Sequence, residues 1–166
     1  PVADGVVCMA MSQAVAAGLI GAGDEDWTGY HSREWVGALN AAHAQDGLFL
    51  SLDSGTCLDR PVLVHHHVTG QDVASCPRHR ILLGANSQAE VVLWTSASEG
   101  ASGMVNGVLE GKVGAGARLG VDKVQHEHGD VFHLAHEHVT QDKDSTFRIH
   151  TATVKGHWVR NELNVL

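Results

Sequence analysis

Histidine is the residue type with the most chemistry to offer here. There are 13 in 166 residues, and they cluster as "HHH" at 65–67 and as "HEHGDVFHLAHEH" at 126–138, with His150 and His157 beyond. On a strand, residues i and i+2 face the same way. His126 and His128 are therefore side by side, as are His136 and His138. Such pairs chelate zinc, iron or nickel when a third ligand arrives from another strand. No Glu follows either pair at the interval that a strand-borne two-histidine metal site would use. The competing expectation is that these histidines line solvent-facing strand surfaces, with no metal site. In "HHH", His65 and His67 share a face and His66 opposes them.

Other chemistries fail on spacing. "GVLEGKV" (107–113) is the nearest approach to a phosphate loop. It has one residue too few between its glycines, and Val113 stands where magnesium needs Ser or Thr; it reads as a turn. No GxGxxG opens a helix, and no GxSxG elbow is present. Cys8, Cys57 and Cys76 form no CxxC pair, and an isolated Cys is usually a small apolar filler. Asp142 and Asp144 are the one close carboxylate pair in the strand-rich part of the chain, too little for glycosidic chemistry. No catalytic residue is assigned.

These side chains must be positioned by strands. Residues 9–20 carry a helical spacing (Met11, Val15, Leu19), 21–30 read as a loop, and 32–47 predict a second helix capped by Ser32, with Trp35, Leu39 and Ala42 on one face. Strand-length runs then follow one another to the end. "LLGANSQAEVV" (82–92), "KVGAGARLGVD" (112–122) and "TQDKDSTFRIH" (140–150) share one plan, an apolar or β-branched residue, a turn, then a strand. Their starts lie 30 and then 28 residues apart. That spacing suits stacked strand coils; a jelly roll or sandwich is the alternative. In "ARLGVDKVQHEH", Ala117, Leu119 and Val121 share a face, while Val124, His126 and His128 take the other register. We expect a corner there. The last run alternates, with Val159, Asn161, Leu163 and Val165 on the inward side and Trp158, Arg160, Glu162 and Asn164 outward. An inward Asn161 must be hydrogen-bonded, because an unpaired buried amide is costly.

The domain expectation is a helical N-terminal region over 1–47 and a coil core over 48–166 that is incomplete at its C-terminal end. Such an uncapped end invites self-association through the last strand. A hydrophobic content of 43% supports a core. A net charge of −8 with no basic stripe argues against nucleic acid or an anionic membrane as partner. No apolar run reaches transmembrane length. Pro1 to Leu19 has no basic start and is interrupted by Asp4, so no signal peptide is read. The chain does not start with Met, which suggests upstream sequence. Three scattered cysteines suit a reduced, cytoplasmic protein.

Four stretches together resemble the SufB/SufD family of iron–sulfur cluster assembly proteins. They are "ALNAAHAQDGLFLSLDSGTCLDRPVLV", "CPRHRILLGANSQAEVVL", "VGAGARLGVDKVQHEHGDVFHL", with His133 at the family's His, and "GHWVRNELNV". Their order and spacing cover the chain from about residue 2 to 166. The chain looks more like the N-terminal half of the SufD branch than like SufB, because no cysteine-rich segment is visible. The resemblance implies a mainly β, right-handed parallel β-helix, truncated here, behind a small helical region. It implies a cytoplasmic, non-enzymatic scaffold subunit that works with a SufB-like sister and the ATPase SufC. No cofactor is then bound tightly by this segment, and the iron–sulfur cluster is handled by the full complex. Docking and ligand residues of the family would lie beyond Leu166. The alternatives are a histidine-rich metal-binding β protein or metalloenzyme and, third, a carbohydrate-active β-helix.

Overall fold

The computed structural model describes residues 4–20 and 35–166. Two parallel sheets face each other and are joined strand to strand, forming a β-solenoid of about 4 turns. The chain order is β1 (Val6–Ala10), α1 (Met11–Ala16), α2 (Trp35–His43), β2 (Leu48–Leu52), β3 (Val62–Val68), β4 (Val73–Ser75), β5 (Arg78–Leu83), β6 (Gln88–Ala97), β7 (Ser102–Val113), β8 (Arg118–Glu127), β9 (Asp130–Gln141), β10 (Thr146–Lys155) and β11 (Trp158–Val165). The first sheet runs β1-β2-β5-β7-β9-β11, with β4 also on β7; the second runs β10-β8-β6-β3. All pairs are parallel except β1 with β2.

The repeats seen in the sequence are the coils. Leu82 lies beside Lys112, and Lys112 beside Thr140, the offsets of 30 and 28 that the sequence repeats show. One corner is built alike in successive coils. Gly55, Asn86, Gly116 and Asp144 hold φ of 78°, 57°, 67° and 59° there. Apart from Gly, Asn and Asp are the residues that adopt this left-handed conformation most readily. The corners stack by backbone bonds, with Gly55 N–H donating to Ala85 O (2.8 Å), Asn86 N–H to Ala115 O (2.9 Å) and Gly116 N–H to Lys143 O (3.0 Å).

Beside this corner the interior is apolar. Leu50, Ile81, Val91, Leu109, Leu119, Val121 and Val139 meet there from both sheets, all buried. Each such side chain contributes roughly 1.5–3 kcal/mol by leaving water.

The N-terminal region departs from expectation. The helix read over 9–20 is only Met11–Ala16, and Val6–Ala10 is a strand running antiparallel to β2, from Val6 opposite Leu52 to Ala10 opposite Leu48. Val6 and Val7 favour a strand, and pairing covers an edge of the first sheet. Cys8 therefore sits in a strand rather than a helix. The second helix spans Trp35–His43, shorter than 32–47. Ser32 and the 21–30 loop lie outside the described residues. Asp46 is used instead of extending that helix: its Oδ1 accepts from Ser12 N–H (3.1 Å) at the start of α1.

Two further readings are corrected. Residues 107–113 are not a turn but part of β7. Gly107 and Gly111 occupy inward strand positions, where they save space rather than bend the chain. The register change near Val124 is not a corner either. β8 runs unbroken from Arg118 to Glu127, and its inward row is Leu119, Val121, Lys123, Gln125 and Glu127.

Candidate functional site: a polar stripe inside the solenoid

The inward row of β8 turns from apolar to polar halfway along, and the facing row of β9 turns with it. Lys123 forms an ion pair with Glu137 across the interior; their side chains are 6% and 5% exposed. Glu127 Oε1 lies 2.8 Å from His133 Nδ1, both buried. Glu127 Oε2 is buried with no partner among the described residues. The next coil joins in. Lys123 Nζ donates to Asn161 Oδ1 (2.8 Å), as does Gln125 Nε2 (3.1 Å), and Thr153 Oγ1 donates to Gln125 Oε1 (2.6 Å). Asn161 therefore points inward and is hydrogen-bonded, as its place on the apolar face predicts, but on the end strand β11 it stays exposed rather than buried. It bonds across coils rather than in an asparagine ladder.

The first coil contributes two imidazoles. His79 Nδ1 accepts the N–H of Leu48 (3.0 Å). Burial first, then the charge that His66 would carry if protonated and the Lys123 ammonium, push its pKa down to about 4, with Asp46 pulling the other way. His66 is also held below its ordinary value, by burial first and by His133 next, against the opposing pull of Glu127. Its Nε2 is 3.2 Å from Ser75 Oγ. Both rings are neutral near pH 7.

Thus ammonium, carboxylates, amides and imidazoles share a low-dielectric interior, while strand positions hold them at fixed heights. They can orient charge and hold protons. Among the described residues no three His, Cys, Asp or Glu side chains converge to hold a metal.

Residues 66–166 match the family described as SUF system FeS cluster assembly, SufBD core domain. The chain belongs to this family. The matched span is more than half of the sequence and runs from His66 in β3 through β11, so the whole polar stripe lies within the SufBD core. No curated protein matches the chain.

The outer face of the SufBD core's first sheet carries a second buried cluster, which anchors α2. Arg78 is fully buried and pairs with Glu110 at 2.5 Å. Arg78 Nη1 also donates to Asn40 Oδ1 (3.1 Å). Asn40 Nδ2 donates to Asn106 O (2.7 Å) and Pro77 O (3.1 Å), and Asn106 Nδ2 returns a bond to Val36 O (2.9 Å). None of these was singled out from sequence. The signal was the polar Asn40 within an otherwise apolar helix.

The predicted histidine pairs are placed as follows. His126 and His128 do lie together, ring centroids 4.7 Å apart, but Lys155 Nζ approaches His128 Nδ1 at 3.0 Å. His65 and His67 share the outer face, and both meet Ser96 Oγ, at 2.8 and 2.7 Å. His136 is not solvent-facing: it is buried and lies 3.2 Å from Asn164 Nδ2. His150 and His157 are surface partners of Asp122 and Asp130. The expectation of solvent-facing histidines thus fails for His133 and His136, both buried; His79, outside those clusters, is buried as well. Cys57 is exposed and Cys76 buried. Asp142 and Asp144 stand in the turn between β9 and β10.

Proposed function

We propose that this chain is a SufD-like subunit of an iron–sulfur cluster assembly scaffold, acting in the cytoplasm beside a SufB-like sister subunit and a SufC-like ATPase. As a SufBD core protein it belongs to the SUF system. The observation that carries the scaffold reading is the family match over residues 66–166, and the lack of a phosphate loop in these residues agrees with ATP hydrolysis by a separate chain. A scaffold of this kind needs an ATPase from another chain, and it supplies no catalytic residue or tightly bound cofactor of its own. Closeness to SufD rests on the motifs quoted above and on the missing cysteine-rich segment.

Co-expression of the tagged protein with SufB-like and SufC-like chains tests this. The expected result is co-purification of all three at fixed stoichiometry. Purification of the tagged chain without either partner sinks the reading.

A histidine-rich metal-binding protein is the second reading, favoured by the His126–His128 approach alone. A stoichiometric metal that is lost on His126→Ala plus His128→Ala would establish it.

A further inference from the structure

The interior holds a cavity of about 40 Å³ between the first and third coils. It exists because the second coil places small residues there. Thr95 stands between His66 and Gln125, and Gly107 between Pro77 and Ala135, while Leu109 separates His79 from Glu137. A dry cavity in a protein is lined by apolar groups, whereas one that is roomy and polar holds water. This one has a mixed lining: apolar residues such as Val64, Leu93, Val105 and Leu109 form most of its wall, and His66, His79, Lys123, Gln125, His133 and Glu137 supply the polar partners that a water needs.

The hydrogen-bonding roles fit an occupant that both donates and accepts. His79 uses Nδ1 to accept the Leu48 N–H, so a neutral ring carries its proton on Nε2. His133 uses Nδ1 toward the Glu127 carboxylate, so a neutral ring there keeps an Nε2 lone pair. One ring supplies a donor and the other an acceptor, on the walls of the same cavity. Thr95 and Gln125 add further polar atoms. A water molecule needs two to four such partners.

We propose that this cavity is a built hydration site, holding about two or three long-lived water molecules at the roughly 10–15 Å³ that each requires. The waters bridge the imidazoles of the first coil to the charged row of the third. Exchange with bulk solvent runs past His66 and His79. These two residues, with Val64 and Pro77, also line an outer groove of about 310 Å³ that includes Ser75 and Cys76.

Oxygen-17 magnetic relaxation dispersion on the purified chain counts long-lived internal waters. The expected count includes two or three from this cavity, and Gly107→Ala lowers it by about one. A methyl group at Gly107 would meet nothing closer than 3.8 Å, so it enters the space without a clash. A high-resolution crystal structure of the unaltered chain decides the matter should Gly107→Ala fail to fold. Water density bonded to His79 Nε2 supports the site. An empty cavity, or one filled by a rearranged side chain, overturns it, as does a water count that Gly107→Ala leaves unchanged.

Discussion

Glu127 and His133 face each other across the interior of the third coil, the carboxylate Oε1 2.8 Å from the imidazole Nδ1, with both side chains shielded from solvent. A buried charge that loses its partner is far costlier than a pair replaced together. His133→Leu is therefore expected to destabilise the fold by roughly 3–5 kcal/mol. The double change Glu127→Leu with His133→Leu should recover most of that loss. Urea unfolding of the three proteins checks it; equal losses in single and double variants would contradict the pairing.

The buried imidazoles make stability depend on pH with a defined sign. His79 titrates at about 4 in the folded protein and near 6.5 when unfolded. Between those values the unfolded chain binds more protons, so stability rises with pH. The contribution is complete above about pH 6.5, falls as the pH drops, and is gone below about pH 4, with a span of roughly 3 kcal/mol. His66 shifts in the same direction. Urea midpoints across that window should fall toward acid, and His79→Gln should flatten the slope.

The α2 helix is held to the sheet by polar anchors as well as by packing. Asn40→Ala removes the bonds to Pro77 O, Asn106 O and Arg78. The expected cost is about 1–3 kcal/mol, because buried partners are left unsatisfied. Amide exchange in Trp35–His43 should speed up while exchange in β7 and β8 stays slow.

The stacked corner gives a backbone test. Asn86 holds φ of 57°, which a β-branched side chain resists by roughly 1–2 kcal/mol. Asn86→Val should lower the melting temperature, and Asn86→Gly should leave it nearly unchanged.

Much of this fold was legible in the sequence because its coils repeat the same turn. Asn86, Gly116 and Asp144 mark the corners at intervals close to the coil length, and inward Asn161 follows from alternation along β11. The polar stripe was hidden for the same reason that alternation works. Periodicity reads hydrophobicity, so the apolar row Ala117, Leu119, Val121 followed by Val124 looked like a change of register, which turned one strand into a false corner. Only the partners, Glu137 and His133 on β9 and Asn161 on β11, make inward Lys123, Gln125 and Glu127 tenable, and partners from other coils cannot be counted along one strand. Gly107 was misread likewise: in an isolated segment it signals a turn, and in a coil it makes room.

Reconstitution of cluster assembly on the scaffold, with and without this protein, tests the central claim most directly. Iron–sulfur cluster formation is read by its visible absorption on the SufB-like and SufC-like partners. The account predicts that assembly falls strongly when this subunit is left out, and that the subunit alone gathers no cluster. Undiminished assembly in its absence would contradict it.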